Sequence, residues 1–408
     1  MLRLVQRLPA NRITHRSLST GLISRTVRVD SLAEGYNVNR ILAAIKANPA
    51  ESITVAKDHL LVRFFNEDMA KNCVASGSGT SGAVMKMDDA LSPPLSAVDV
   101  AALGRLGMSR SLAMTDIPNN VQEKDVLEIL SQHGGLESWI FDSPKRTATA
   151  RYLDMHDAFQ ARFTVSHQIF VLICLSQALV DLRSNGINTL PLTNPDSYIF
   201  PKWFPAEEAD QGMVNCRVKI SGITDPKMIL HLRSWVVEFE KDQIPVLSIS
   251  LSREQGTAML QFASSDLAQR FCNMCASRAL ELGVEVSVAR RQSAIQRGLV
   301  TAIALGACRT ITLNLTGEKD LAHLNDYLHF FKRIGVITPE SKDQFTSPVR
   351  ELRVSYEKLS SAMRCILVLS GLEVVGSKHS SLPDFEGASI NFLGAHLNTS
   401  PVSPSLWE

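Results

Sequence analysis

Short stretches of alternating apolar and polar residues recur along the chain, separated by stretches with an apolar residue every third or fourth position. The first pattern predicts strands with one buried face, and the second predicts amphipathic helices. The clearest series predicts, in chain order, a strand, a helix, two strands, a helix and a strand at 216–220, 228–240, 246–251, 256–262, 265–282 and 284–288. The predicted order is therefore βαββαβ, which is an α+β fold.

This order recurs four times, and two short signatures mark each copy. The downstream signature is an apolar residue, a variable residue, an aromatic and, after five more residues, Ala; its aromatics are Phe64, Tyr152, Phe262 and Tyr356. About 40 residues upstream lies a run of alternating apolar residues, which begins at Val27, Leu112, Val218 and Ile311. A period of about 90 residues predicts one small domain used four times.

The other three copies follow the same plan less cleanly. The first has predicted helices at 38–47 and 67–76 and strands at 52–56 and 83–87; the second has a helix at 121–133 and strands at 136–141 and 147–152; the fourth has helices at 321–334 and 360–369. We place repeats 1 to 4 at 25–87, 109–193, 214–290 and 309–378, with linkers at 88–108, 194–213 and 291–308. The first two linkers are rich in Pro, Gly and Ser, whereas the third is predicted to be helical.

The last helix of repeat 2 is predicted to be nearly twice the usual length, because residues 165–177 are interposed. Removing them would make the interval to repeat 3 match the next interval. We expect this segment to be an insertion without a function. Residues 379–408 form a tail that is Ser- and Pro-rich from Thr399, although Ile390 to Leu393 could dock on repeat 4 or on a partner.

Residues 1–24 differ in kind from the rest of the chain. No acidic residue occurs between Met1 and Val29, and Arg residues are spread among Leu, Val, Ser and Thr. This composition is typical of a mitochondrial transit peptide, and Arg16 lies three residues before a possible cut after Leu18. A disordered basic leader is the alternative. Such a cut removes four Arg and turns the net charge of +1 negative, so nucleic acid would have to bind through local basic patches.

Chemistry-bearing motifs are weak along this chain. The seven Cys residues have no framework spacing and are predicted to be reduced thiols, and Cys272 and Cys275 lie within a predicted amphipathic helix without a nearby His. The stretch 77–82 has the glycines of a phosphate loop but not its Lys. The longest apolar run, 169–182, is shorter than the roughly 20 residues that span a membrane. We expect a soluble protein without a catalytic site, metal or cofactor.

The two signatures, their separation and the βαββαβ order resemble the RNA recognition motif, over about three quarters of the chain. The resemblance implies tandem ferredoxin-like domains whose open sheet faces stack RNA bases on aromatic side chains. Here the first-strand stacking position holds Arg28, Ala113, Lys219 and Thr312. The third-strand positions also lack aromatics and hold His59 and Leu61, Thr147 and Thr149, Thr257 and Met259, and Glu351 and Arg353.

Basic residues replace the aromatics in some repeats. The strand period of two predicts a cluster on the open face of repeat 1 that could hold phosphates. With the basic residues of repeats 2 and 3, the candidate RNA-binding residues are Arg28, Lys57, His59, Arg63, Lys145, Arg146, Arg151 and Lys219. The alternative is that these charges only solvate an exposed sheet. If RNA is bound, repeats 1 and 2 are the expected sites.

These observations predict a non-enzymatic RNA-binding factor in mitochondrial gene expression. The expected partners are single-stranded RNA, bound weakly by each repeat, and proteins of a matrix ribonucleoprotein or translation complex; nothing in the sequence indicates DNA. One alternative is a protein scaffold built from domains that have lost RNA binding. Another is an array that binds small ligands between paired repeats.

Overall fold

The computed structural model describes residues 24–30, 32, 41, 50–77, 84–162, 188–191, 214–240, 246–252, 254–294, 297–319, 321–338, 341, 349–373, 388–393 and 400–401. The expected leader, except for Ser24, and the expected insertion at 165–177 therefore lie outside the described residues. Within them, four antiparallel sheets follow one another along the chain, one in each repeat. The fold is α+β, as the sequence predicts.

Repeats 1 and 2 have matching sheets. In repeat 1 the strands β1 (Thr26–Asp30), β2 (Ala50–Val55), β3 (Leu60–Phe64) and β4 (Val84–Met87) form a sheet in the order β2-β3-β1-β4, with helix α1 (Glu67–Gly77) before β4. Repeat 2 has the equivalent order β6-β7-β5-β8, with strands β5 (Ser111–Thr115), β6 (Leu136–Asp142), β7 (Thr147–Tyr152) and β8 (Asn188–Pro191). Its first helix is Glu123–Ser131, and residues 155–162 begin its second.

Repeat 3 is the most regular copy. Its strands β9 (Val214–Ser221), β10 (Ser248–Ser252), β11 (Thr257–Phe262) and β12 (Glu285–Ala294) form the order β10-β11-β9-β12, and its helices are Pro226–Glu240 and Ser265–Glu281. All six elements lie where the sequence predicts them, within a few residues at each end. The longest difference is β12, which continues to Ala294 past a register shift between Ala289 and Ser293.

Repeat 4 departs from this order. The sheet runs β14-β13-β15-β16, built from β13 (Thr310–Lys319), β14 (Val349–Ser355), β15 (Ser389–Phe392) and β16 (Ser400–Pro401), with helices Leu321–Ile334 and Leu359–Leu369. Within the described part of the repeat, a single bridge between Ile337 and Tyr356 stands where the second strand would lie. The fourth strand is β15, which the sequence analysis assigned to the tail. Ile390 and Phe392 are buried there, because they complete the apolar face of this sheet.

The alternating pattern decides which sheet face is buried. In each repeat the aromatic of the downstream signature, Phe64, Tyr152, Phe262 or Tyr356, has 0% exposure beneath the sheet. Most of the core of repeat 2 is a separate cluster, whereas the cores of the other repeats join into one continuous cluster. Cys272 and Cys275 are buried in repeat 3, and burial raises the pKa of the Cys275 thiol to about 12. These thiols therefore pack as small apolar side chains.

The repeats dock as two tandem pairs in the same manner. In the first pair, the Ile53 N–H at the free edge of β2 donates to the Leu153 carbonyl of repeat 2 at 2.8 Å. In the second pair, the equivalent Ile249 N–H of β10 donates to the Glu357 carbonyl of repeat 4 at 2.9 Å. A bridge accompanies each bond, Ser52 with Asp154 and Ser248 with Lys358. The four repeats therefore form two tandem pairs that are docked through equivalent backbone bonds.

A charged contact fastens the first pair to its linker. The linker contains the helix α2 (Ala97–Ala101) and a π-helical turn (Ala102–Leu106), which the sequence analysis did not predict. His156 of repeat 2 lies 3.0 Å from an Asp99 carboxylate oxygen on α2 and 3.3 Å from Asp154. Hydrogen bonds to Asp154 and then Asp99 raise the pKa of His156 to about 10, so this imidazole is charged at neutral pH.

The linkers 88–108 and 291–308 pack against each other and join the pairs. The helix of linker 291–308, Arg297–Ala304, lies against the π-helical turn of linker 88–108. Gly298 allows this approach, because a Cβ there would collide with the Leu103 carbonyl oxygen. A Cβ on Gly104 would lie 2.7 Å from that of Ala302. Arg105 then forms two hydrogen bonds with Glu373, at 2.7 and 2.6 Å.

Candidate nucleic-acid interface

The open sheet faces lie opposite the buried aromatics, and the four registers agree. In each repeat, the first-strand stacking position directly faces the corresponding third-strand residue, in the pairs Arg28 and Leu61, Ala113 and Thr149, Lys219 and Met259, and Thr312 and Arg353. Cross-strand neighbours share one face of a sheet. The structure therefore brings together the positions that the sequence analysis compared, and none of the eight residues is aromatic.

At the centre of the open face of repeat 1, two basic side chains share the carboxylate of Asp30. The Arg28 Nε lies 2.6 Å from Asp30, and the Lys86 Nζ lies 2.9 Å from the other oxygen of the same Asp. Hydrogen bonds from Lys86 and then Arg28 lower the pKa of Asp30, and the bond to Asp30 raises the pKa of Arg28. Two cations share one anion, so this group keeps a net positive charge. Lys86 was not among the candidates from the sequence, although it lies in the predicted strand 83–87.

The remaining candidates of repeat 1 surround this group. The Nδ1 of His59 lies 2.8 Å from Asp58 at the β2–β3 turn, and this bond lowers the pKa of that carboxyl. Lys57 is exposed in the same turn. Arg63 lies on the open face of β3, opposite Thr26, with a nitrogen 4.0 Å from the buried Glu51. The cluster predicted from the sequence is therefore assembled on one face and one turn, with much of its charge paired.

The three candidate RNA-binding residues of repeat 2 are engaged in contacts within the repeat itself. Lys145 pairs with Asp142 at 3.2 Å in the hairpin turn. Arg146, at a φ of 51°, donates to the carbonyls of Ile117, Pro118 and Val121 and lies over the ring of Phe141. Arg151 lies 3.3 Å from the buried carboxylate of Glu137. The centre of this face holds Ala113, Thr149 and Ile140, so it carries no charge.

Repeat 3 presents basic side chains without this pairing. Lys219 is exposed at the centre of the sheet, beside Met259 of β11 and Ser287 of β12. Arg217 lies on the same face two positions earlier in β9. Within the described part of the chain, no carboxylate lies within ion-pair distance of either side chain. Arg217 was not among the candidates from the sequence, although the strand period placed it beside Lys219.

Repeat 4 has a polar open face of another kind. Arg353 donates to Glu351 at 2.7 Å on the same strand, and Thr312 and Asn391 occupy the adjacent strands. The positive charge of Arg353 is therefore offset beside it. Among the residues that the structure describes, no group of three His, Cys, Asp or Glu residues could hold a metal ion, and no helix is long and apolar enough to cross a membrane.

Comparison with known proteins gives matches only among solved structures. No protein-family model and no curated protein sequence matches this chain. The N-terminal three RNA-binding domains of the yeast splicing factor Prp24 match at 14% identity and a TM-score of 0.20, over 66% of this chain and 100% of that one. The C. elegans NONO-1 homodimer matches at 11% identity and a TM-score of 0.18, over 56% of this chain and 87% of that one. The Drosophila melanogaster Sex-lethal RNA recognition domains 1 and 2 match at 14% identity and a TM-score of 0.15, over 35% and 95%.

At these identities and TM-scores the matches carry no argument about function. The class of protein rests on the strand orders and registers of the four sheets. By these, the chain is an array of four α+β domains with ferredoxin-like antiparallel sheets, arranged as two tandem pairs, and the facing positions at the centre of the described open faces hold no aromatic residue.

Proposed function

We propose that this protein is a non-enzymatic RNA-binding factor of mitochondrial gene expression. It holds single-stranded RNA through the phosphate backbone, with the open sheets of repeats 1 and 3 as its main contacts. The observation that carries the proposal is the central basic side chain on these two faces, Arg28 with Lys86 in one and Lys219 with Arg217 in the other. Cations on an open sheet bind phosphates without reading the base sequence.

The two RNA-facing sheets belong to different tandem pairs, which the packed linker helices hold together. Each sheet offers few contacts and binds weakly. Two weak sites on one molecule raise the local RNA concentration at the second site once the first is occupied, so the overall affinity exceeds that of either sheet. This explains how domains without stacking aromatics retain useful binding.

The test is binding of the full chain to a labelled single-stranded RNA pool of random sequence across a salt series. Changing Arg28 and Lys219 to Ala should weaken binding and reduce the slope of log affinity against log salt by about 0.7 for each phosphate that is no longer bound. The matched control changes Lys71 and Arg270 to Ala. These two exposed cations lie on helices, so the control removes the same charge away from the open sheet faces.

An unchanged slope in the control and a flatter slope in the sheet variant support the proposal. Equal losses of affinity in both variants indicate bulk electrostatics only and contradict it. Absence of binding at about 50 mM salt, where phosphate contacts are strongest, also contradicts it.

The mitochondrial location rests on the leader composition alone. A fluorescent protein fused behind residues 1–30 should enter the matrix, and the same fusion with its Arg residues changed to Gln should stay outside, because import of such leaders depends on their basic amphipathic character. Equal import of both fusions would contradict the location.

A protein scaffold is the second candidate function, and repeat 2 favours it. The open face of this repeat is uncharged at its centre, and Ile140 on its outer strand is 68% exposed. A surface of this kind suits a protein partner better than a phosphate backbone.

A further inference from the structure

The second strand of repeat 2, β6, has an exposed apolar edge. Its sequence from Leu136 to Asp142 is LESWIFD, in which Ile140 is exposed and the other residues are partly exposed, although the side chain of Glu137 is buried. Trp139 and Phe141 pack against each other on the helix side, with ring centroids 6.0 Å apart. Among the described residues, β7 is the only strand paired with β6. An apolar strand edge of this kind pairs readily with another polypeptide.

The equivalent edge is covered in repeats 1 and 3, and by polypeptide in both cases. Register makes the comparison direct, because Ile53 faces Val62, Ile249 faces Leu260 and Trp139 faces Ala150. The N–H groups of Ile53 and Ile249 point away from their own sheets and donate to carbonyls of the next repeat. The Trp139 N–H therefore points to the outer edge of β6, where the equivalent strands bind another repeat.

The outer strand of the fourth repeat is an example of an edge strand that does not dock on another repeat. There the outer strand β14 carries Glu351 and Arg353 as exposed side chains, and within the described residues only a bridge at Ile337 stands where the second strand would lie. Charges on an edge strand discourage pairing with another chain. Repeat 2 has the opposite chemistry at its edge, with Trp139, Ile140 and Phe141 in succession.

The described residues of this chain do not supply a free partner segment for the same docking mode. The segment that accepts a second strand lies just after the third strand of a repeat. In repeats 2 and 4 this segment is already engaged, at Leu153 and Glu357. In repeats 1 and 3 the equivalent residues Phe65, Ala263 and Ser264 are buried. Among the described residues, a second copy therefore offers no free acceptor segment for this docking mode, which favours a different polypeptide as the partner.

We propose that the edge of β6 docks an extended segment of a partner protein by strand addition. The side chains that the segment would meet are Ile140 and Ser138 on the open face and Trp139 and Phe141 on the helix side. No Lys or Arg lies in β6, whose charged residues are Glu137 and Asp142. This composition favours a neutral, alternating apolar peptide and disfavours an RNA backbone.

The test uses the full chain and a labelled, capped peptide of alternating Val and Thr with terminal Lys. Its control is the same peptide with N-methyl groups on the amides of one edge, which removes strand pairing without changing the side chains. We expect the unmodified peptide to bind at least tenfold tighter and to slow hydrogen exchange at residues 137–141. Ile140→Lys should reduce binding at least tenfold, and Val84→Lys, at another exposed edge strand, should leave it unchanged.

Three outcomes would overturn the proposal. Equal binding of both peptides shows that no strand pairing occurs. Protection of a different edge places the docking site elsewhere. A dimer of the wild-type chain in sedimentation that Ile140→Lys converts to a monomer identifies a second copy as the occupant. Since Ile140 is exposed, Ile140→Lys should fold normally. The N-methylated peptide tests strand pairing on the wild-type chain and does not depend on the folding of this variant.

Discussion

At the scale of single residues, a buried arginine recurs at the start of three sheets. Arg25, Arg110 and Arg309 each donate to the carbonyl of the buried aromatic in their own repeat, Phe64, Tyr152 or Tyr356. Each also pairs with a carboxylate, Glu51, Glu137 or Glu240. Glu240 belongs to repeat 3, so in the fourth repeat this contact also joins two domains. Arg63 and Arg151 are the half-exposed second partners of Glu51 and Glu137.

The sequence contained part of this arrangement. In these three repeats an Arg stands two positions before the first apolar residue of the upstream signature, and repeat 3 has Cys216 there. The strand period also placed Arg63 on the open face. It could not show that a carboxylate one strand away lies beneath Arg63 and Arg151, because register between distant segments decides that contact.

Removing the buried arginine should cost far more stability than removing its half-exposed neighbour. We expect Arg110→Ala to lower the free energy of unfolding by about 3–5 kcal/mol, because Glu137 and a carbonyl lose a buried partner. Arg151→Ala should cost about 1 kcal/mol or less. Urea unfolding of the two variants measures the difference. Similar losses of stability in both would show that Arg110 is not the main partner of Glu137.

At the scale of elements, periodicity alone located most helices and strands. Repeat 3 matches throughout, and the described strands and helices of repeats 1 and 2 lie close to their predicted positions. Two regions contain elements that the sequence analysis did not predict as such. The helix and π-helical turn at 97–106 lie in a segment whose Pro, Gly and Ser content indicated a linker. The strand β15 lies in the predicted tail, where docking of Ile390 to Leu393 on repeat 4 was one of two open alternatives. Packing against other elements stabilises both, and a local pattern does not report such contacts.

The contact between the two linker elements predicts a change in the free energy of unfolding that is opposite to the one expected from helix propensity alone. In an isolated helix, Gly298→Ala would favour folding by about 1 kcal/mol. Here we expect it to lower the free energy of unfolding by about 1–3 kcal/mol, because the new methyl group collides with the Leu103 carbonyl oxygen. Chemical unfolding measures the change, and Ala304→Gly, in the last turn of the same helix, is the control for helix propensity. If Gly298→Ala instead stabilised the protein, the close contact between Gly298 and the Leu103 carbonyl oxygen would be contradicted.

At the scale of the whole molecule, the chain is a pair of pairs held by its linkers. Glu373 is central to this contact, since it accepts from Arg105 of the first linker and lies 3.1 Å from Arg364 of repeat 4. The sequence predicted four repeats but not their pairing, because the docking bonds join single backbone groups that carry no side-chain signature. The leader, the insertion and the proposed location stay predictions.

Weakening the contact between Arg105 and Glu373 should speed hydrogen exchange in both linker elements together. We expect Glu373→Gln to speed hydrogen exchange at residues 97–106 and 297–304 in concert, because each linker element is half of the same contact. Exchange in β10 and β11, which lie in the body of repeat 3, should stay unchanged. Faster exchange in only one linker would mean that the pairs are not joined through this contact.

The second strand of a repeat is the element through which repeats bind one another. A repeat joins its successor within a pair through that strand, as Ile53 and Ile249 do. Among its described residues, repeat 4 has only the bridge at Ile337 in the equivalent position. Of the second strands that the structure describes, β6 is therefore the one whose outer edge is left for docking, and a foreign chain bound there would continue the pattern by which the repeats already bind one another.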